Sequence, residues 1–160
     1  MVVLKCKLCG GNVESISGGA MGTCSSCGKT HATEVTASVN IAKTPELKEK
    51  GISGELFTRT CPYCGTVNLA SYPFLYHNPD NRLIVLLTDA PLRSEDLPDS
   101  YNGRLVRSVG ELIEKVKIFE SGLDDITIEM MKFVTMQELK KNVSLKFFKM
   151  DGGDNEITFT

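Results

Sequence analysis

Apolar and polar positions along the chain alternate in strand-like fashion over the first two thirds, then switch to helical spacing and end in a hairpin. Asn12-Val13-Glu14-Ser15-Ile16 reads as a short strand running into the turn-rich Ser17 to Gly22. Val35, Ala37, Val39 and Ile41 fall on one face of a half-buried strand over 30–41. Thr44-Pro45-Glu46-Leu47 opens a short helix, in which Thr44 can cap, Pro45 suits the first helical position and Gly51 can end it. Residues 54–60 read as a strand, and residues 67–77 as an extended one. Pro73, with no N–H to give a ladder, marks an edge or a bulge there. Asn78-Pro79-Asp80-Asn81 is a turn, and Arg82 to Thr88 is the most apolar run. Together they predict a hairpin whose second strand is the buried centre of a sheet.

Asp89 to Gly103 is polar, carries two prolines and reads as a long, mobile loop, with a brief strand at 104–107. Ser108 and Glu111 have capping-box spacing. Val109, Leu112, Ile113, Val116 and Phe119 then form a helical stripe that Gly122 stops. A second helix starts at Asp124 or Asp125. Ile126, Met130, Phe133 and Val134 line its apolar, core-directed face, and Met130, Met131 and Met136 read as core filler. Residues 143–150 and 156–159 form a closing hairpin around Asp151-Gly152-Gly153-Asp154. The expected fold is α+β: a zinc-ribbon-like knuckle lobe joined to an antiparallel sheet of hairpins packed against two helices. Residues 1–21 form an N-terminal knuckle extension. Residues 22–160 form one domain, with a knuckle lobe at 22–66 and sheet and helices at 67–160.

The six cysteines give this frame its chemistry. They occur as Cys6-x-x-Cys9, Cys24-x-x-Cys27 and Cys61-x-x-Cys64, each followed by glycine. Such a segment turns tightly, so that both thiolates face one point, and two of them supply the four-sulfur tetrahedron of a structural zinc site. Cys24, Cys27, Cys61 and Cys64 are the favoured ligand set; their long spacer can hold a strand, a short helix and a return strand. The alternative first pair, Cys6 and Cys9, makes a more ordinary ribbon spacing with Cys24 and Cys27, and leaves Cys61 and Cys64 over. A two-ion arrangement sharing cysteines is a third possibility, to which His31 or His77 could add; each reads more simply as an ordinary polar residue. Iron is the alternative metal, since tetrahedral thiolate sites accept either ion. Cys61-Pro62-Tyr63-Cys64 also has the form of a redox dithiol, although such sites open a helix, and β-prone Val67-Asn68-Leu69 follows here.

Composition narrows the function classes. A hydrophobic fraction of 41% over 160 residues supports an ordinary core. A net charge of −2 argues against an electrostatic trap for nucleic acid or acidic membranes. No run approaches 18 apolar residues, and Met1 to Lys5 turns polar too soon for a secretory leader. The cytoplasm is therefore the expected compartment, where reduced thiols serve metal rather than disulfides. There is no nucleophile elbow, phosphate loop or HExxH motif. Asp124, Asp125 and Glu129 read as a solvated helix start rather than a catalytic carboxylate cluster, and His77 with Asp80 as part of a turn. A four-thiolate zinc has no open position for water, so the site holds structure together. The expected function is a non-catalytic interaction or regulatory module with a protein partner, met through the 89–103 loop or a strand edge. Nucleic-acid binding is the alternative: Lys5, Lys7, Lys29 and Arg59 flank the knuckles, but Phe57 and Tyr63 are few aromatics for stacking.

Several separated segments carry a family resemblance. Cys24-Ser-Ser-Cys27-Gly, Thr44 to Lys50, Gly54-Glu-Leu-Phe, Cys61-Pro-Tyr-Cys64-Gly, Tyr72 to His77 and Leu112 to Asp125 resemble, in order, the CpXC domain family of bacteria and archaea. The resemblance covers roughly residues 22–135 and maps the family's two cysteine motifs onto Cys24/Cys27 and Cys61/Cys64. The chain departs from the pattern in having Ser25 where the motif has proline, and in its upstream Cys6/Cys9 pair. The resemblance implies the domain and its zinc and implies no activity.

Overall fold

A computed structural model of the chain describes residues 16–151, 153 and 156–160. The expected strand at 12–16 and the Cys6/Cys9 pair therefore lie outside the described residues, apart from Ile16. The architecture is mixed α+β, as the pattern predicts. The chain divides into two compact units, one up to Leu112 and one over Ile113–Thr160.

The first unit is built on a five-stranded sheet of order β1-β2-β5-β6-β7, from β1 (Ile16–Thr23), β2 (Thr30–Asn40), β5 (Phe74–Asn78), β6 (Leu83–Leu87) and β7 (Asn102–Val106). β1–β2 and β5–β6 are antiparallel hairpins. β2–β5 and β6–β7 are parallel, so the sheet is mixed rather than wholly antiparallel. β5 is buried at every position and β6 at four of five, as a sheet interior requires. A parallel neighbour needs a crossover of a dozen or more residues. Residues 88–101 are that crossover for β7, which accounts for the long loop. The loop is held at several points. Leu97 is buried against Leu75 and Ile84. The Arg107 guanidinium donates to the carbonyls of Thr88 (2.6 Å), Ala90 (2.7 Å) and Leu92 (3.3 Å). Tyr101 Oη lies 3.2 Å from Nε2 of the buried His77.

Helix α1 (Glu46–Ser53) ends at Gly54, whose φ of 81° is left-handed. The predicted strand at 54–60 is divided: Glu55–Phe57 is one 3-10 turn, and β3 is only Thr58–Thr60. The extended 67–77 segment divides likewise, into β4 (Val67–Leu69) and β5, with Pro73 in the break between them. β3 and β4 pair as a separate antiparallel hairpin. Phe57, fully buried just before β3, packs on Tyr72 and Phe74 at ring centroid distances of 5.4 and 5.0 Å. Tyr72 Oη donates to the Leu56 carbonyl (2.8 Å), and Arg59 Nε donates to the Glu34 carbonyl (2.7 Å). These contacts fix the second hairpin to the large sheet.

Helix α2 (Val109–Glu120) passes from the first unit into the second and is followed by Gly122 at φ 73°. In the second unit α3 (Asp125–Leu139) starts at Asp124, whose carboxylate accepts from the Thr127 amide and hydroxyl, both at 2.9 Å. The hairpin β8 (Phe147–Asp151) and β9 (Glu156–Phe159) follows. Ile118, Ile128 and Phe147 form the core of this unit, with Leu123, Met150, Ile157 and Phe159 around them. Beside it runs an ion-pair chain. Lys132 Nζ reaches Glu114 (2.8 Å) and Glu129 (3.0 Å), Lys115 Nζ reaches Asp125 (3.2 Å) and Glu129 (3.3 Å), and Glu114 also accepts from the Phe147 amide (2.8 Å). The face of α3 differs from expectation. Its inward residues are Asp125, Ile128 and Lys132, whereas Ile126, Met130, Phe133 and Val134 are more than half exposed. The ion pairs let charged side chains occupy the inner face, which the apolar pattern alone assigns to the other side. Met130 and Met131 are accordingly on the surface rather than in the core.

Candidate metal centre

Each cysteine pair in the described chain forms the turn of a hairpin: Cys24–Cys27 joins β1 to β2, and Cys61–Cys64 joins β3 to β4. The two turns are built alike. In the first, Cys24 N donates to Lys29 O (3.0 Å) and Gly28 N to Cys24 O (3.0 Å). In the second, Cys61 N donates to Thr66 O (2.8 Å) and Gly65 N to Cys61 O (2.9 Å). Gly28 and Gly65 take φ of 70° and 72°, a left-handed conformation that disfavours any side chain. The glycine after each Cys-x-x-Cys is thus a backbone requirement of the turn.

The hairpins bring four sulfurs together. Cys24 Sγ is 3.6 Å from Cys64 Sγ, Cys27 Sγ is 3.7 Å from Cys61 Sγ, and all four sulfurs lie within 4.8 Å of one another. None is in a disulfide. A tetrahedron with metal–sulfur bonds of about 2.3 Å has sulfur–sulfur edges of about 3.8 Å, so the four can hold a metal ion with little movement. Cys24 and Cys61 are buried and Cys27 and Cys64 are exposed, which puts the cluster at the protein surface with one sulfur of each turn covered. Among the described residues no other group of three or more Cys, His, Asp or Glu could hold an ion in this way. His31 stands outside the cluster, its ring 6.4 Å from that of Tyr63. His77 is buried in β5 against Tyr101. Asp125 and Glu129 are engaged with Lys115 and Lys132 rather than forming an open carboxylate pair.

The sulfurs are not equivalent. Backbone hydrogen bonds, first from the Cys27 amide and then from Ser26, pull the Cys24 thiol down to about 6, with Asn68 adding to them. The Thr66 hydroxyl, 3.3 Å away, and the Thr66 amide lower Cys64. At Cys27 a hydrogen bond from the Lys29 amide is outweighed by burial and by the neighbouring sulfurs, and the thiol rises to about 11. Crowded thiols that cannot all ionise alone are what a dication resolves, since metal binding displaces their protons.

Asn68 is a site residue that the sequence pattern does not single out. Its Oδ1 accepts from Ser25 N (2.9 Å) and Ser25 Oγ (2.8 Å), while its Nδ2 donates to Thr66 O (3.1 Å) and toward Cys24 Sγ (3.6 Å). One side chain on β4 therefore ties the first cysteine turn to the second hairpin and orients a sulfur. Its one visible signal is position: a short amide between Val67 and Leu69, three residues past Gly65, pointing to the side those two do not.

The class defined by these features is a mixed α+β protein with a surface tetracysteine cluster shared by two hairpin turns. The CpXC family model ("CpXC protein") matches residues 23–132, and the chain belongs to that family. The match spans both cysteine turns of the cluster and begins after Cys6 and Cys9. Comparisons with curated proteins and with solved structures each returned no match.

Proposed function

We propose that the protein is a zinc-binding, non-catalytic interaction or regulatory module of the cytoplasm, in which Cys24, Cys27, Cys61 and Cys64 hold one structural Zn2+. The observation that carries this reading is the meeting of four sulfurs from two like-built hairpin turns within 4.8 Å of one another, with the 3.6 and 3.7 Å contacts between turns close to the edge of a thiolate tetrahedron. Four sulfurs complete the coordination of zinc and leave no place for an activated water. The ion's work is then to join the turns of the β1–β2 and β3–β4 hairpins, adding to the Asn68 and Arg59 hydrogen bonds that already link them. Two features speak against thiol redox chemistry. Each pair sits in a β-hairpin turn rather than at a helix start, and sulfurs of different turns approach each other to 3.6 and 3.7 Å. No helix among the described residues is long and apolar enough to cross a membrane. Chelator titration tests the proposal. Removal of one equivalent of zinc is expected to lower the melting temperature and to release a colourless protein. A visible absorption band that disappears with the metal would instead identify iron.

Nucleic-acid binding is the second reading, favoured by one local feature. Tyr63 is 58% exposed at the tip of the second turn, with Lys29 Nζ 4.8 Å from its ring centre. Binding to a single-stranded oligonucleotide that falls steeply with added salt would support it, and absence of binding at low salt would remove it.

A further inference from the structure

The cysteine cluster couples open sulfurs to covered ones. Cys27 and Cys64 are exposed, whereas Cys24 and Cys61 are buried. Each exposed cysteine has the buried cysteine of the other turn beside it. Cys64 Sγ stands 3.6 Å from Cys24 Sγ, and Cys27 Sγ stands 3.7 Å from Cys61 Sγ. Metal ligation keeps sulfurs as thiolates, the form that reacts. Oxidation of a cysteine follows thiolate character and exposure, and a resolving sulfur close by turns the first product into a disulfide. This cluster meets all three conditions, twice over.

We propose, resting on the zinc reading above, that the cluster is an oxidation-responsive site: hydrogen peroxide displaces the ion and closes disulfides between the turns, Cys24 with Cys64 and Cys27 with Cys61. The Cys64 thiolate attacks one peroxide oxygen. An S–O bond forms, the O–O bond breaks, hydroxide departs and Cys64 becomes a sulfenic acid. The Cys24 thiolate then attacks the Cys64 sulfur. The S–S bond forms, the S–O bond breaks and a second hydroxide leaves. The two sulfurs together give up two electrons, and the peroxide takes them and ends as two waters once protonated. Cys27 and Cys61 consume a second peroxide in the same way. The first disulfide already leaves only two of the four sulfurs, too few for a closed tetrahedron. The cross-turn bonds then take over the joining of the hairpins, and a thiol reductant restores the four thiols by exchange. The response is stoichiometric, unlike that of a dithiol catalyst, which cycles within one Cys-x-x-Cys. Transient disulfides of this sensing kind are the usual ones in a reducing compartment.

The test uses the full chain loaded with zinc, as the native protein and as Cys6→Ser/Cys9→Ser, so that the upstream thiols can be judged separately. Zinc content is measured first, by native mass spectrometry. Hydrogen peroxide is then added in the presence of a chromophoric chelator, free thiols are blocked, and disulfides are mapped by tandem mass spectrometry. Chelator-bound zinc is expected to rise from near zero to one per chain in both proteins. The mapped bonds are expected to be Cys24–Cys64 and Cys27–Cys61, and dithiothreitol should restore zinc binding. A chain that carries no zinc at the start overturns the zinc reading and this inference with it. Zinc that is present and stays bound under excess peroxide overturns this inference alone. So do disulfides within the turns, Cys24–Cys27 and Cys61–Cys64, sulfinic or sulfonic acids without a disulfide, or a release that requires Cys6 and Cys9.

Discussion

Asn68 gives the sharpest test of how the cysteine cluster is supported, because its two ends do different work. Asn68→Ala removes both. Two bonds to Ser25, one to Thr66 O and one weak donation to Cys24 Sγ are lost. Ser25 is exposed, so water replaces much of what its amide and hydroxyl lose. A typical net hydrogen bond contributes about 0.5–1.5 kcal/mol, and one to a charged group about 1.5–3. With the Ser25 pair discounted, about 1.5–3 kcal/mol remains, which corresponds to a roughly 10- to 100-fold loss of metal affinity, the range seen for outer-shell partners of metal ligands. Asn68→Asp separates the two ends. It keeps an acceptor for Ser25 but replaces the donor with a negative oxygen about where Nδ2 stands, 3.6 Å from Cys24 Sγ. Two unit charges about 4 Å apart interact by about 4 kcal/mol at an effective dielectric of 20. Exposure at the cluster screens much of this, yet the sign is fixed. The expected order of zinc affinity is native, then Asn68→Ala, then Asn68→Asp. Competition against a chromophoric chelator at pH 7.5 measures all three. Asn68→Asp binding as tightly as the native protein would refute the role given to the amide.

Other consequences can be read from the same structure. Lys132→Met leaves the Glu114 carboxylate in its mostly buried position without its cation, and should cost about 3–5 kcal/mol by chemical denaturation. Adding Glu114→Gln, which can still accept from the Phe147 amide, should recover a good part of that loss. Gly103→Ala would set a Cβ 2.7 Å from Leu97 Cδ1 and 2.9 Å from Leu97 Cβ, and should destabilise by about 1–3 kcal/mol through overpacking under the 88–101 crossover. Burial lowers the His77 pKa below its ordinary value near 6.5, and its Nδ1 has no hydrogen-bond partner among the described residues. The unfolded chain therefore takes up the proton first. The stability due to a neutral His77 is complete above about pH 6.5 and is lost as pH falls through that value toward the lower folded pKa. The difference in melting temperature between the native protein and His77→Gln should change between pH 7 and pH 5. A constant difference would show that His77 does not titrate on unfolding.

What the residue pattern conveyed depends on how local each feature is. The cysteine turns were legible because Cys-x-x-Cys-Gly contains its own geometry, down to the glycine at positive φ. The hairpin of β5 and β6 was legible because Asn78 to Asn81 is turn chemistry between two apolar runs. The parallel pairings of β2 with β5 and β6 with β7 were not, because no neighbouring residues encode a long-range register. That is also why the 89–103 stretch read as a free loop. Its anchors are Leu97 and a guanidinium at Arg107, outside the loop itself. The faces of α3 were misassigned for a different reason. Apolar periodicity finds an amphipathic helix but cannot tell which face meets the core when Lys132 and Asp125 are neutralised by Glu114, Glu129 and Lys115. Asn68 reaches a turn residue, Ser25, that lies 43 positions earlier in sequence, and only the fold brings these partners together.

The central claim is that Cys24, Cys27, Cys61 and Cys64 form one closed zinc site. Its most direct test is metal content by native mass spectrometry of three proteins: the native chain, Cys6→Ser/Cys9→Ser and Cys61→Ser/Cys64→Ser. The account predicts zinc bound at this site in the native chain, retained without Cys6 and Cys9 and lost, with a large drop in melting temperature, without Cys61 and Cys64. Zinc that survives the loss of Cys61 and Cys64 but not that of Cys6 and Cys9 would contradict it, and would place the ion between the first two cysteine pairs instead.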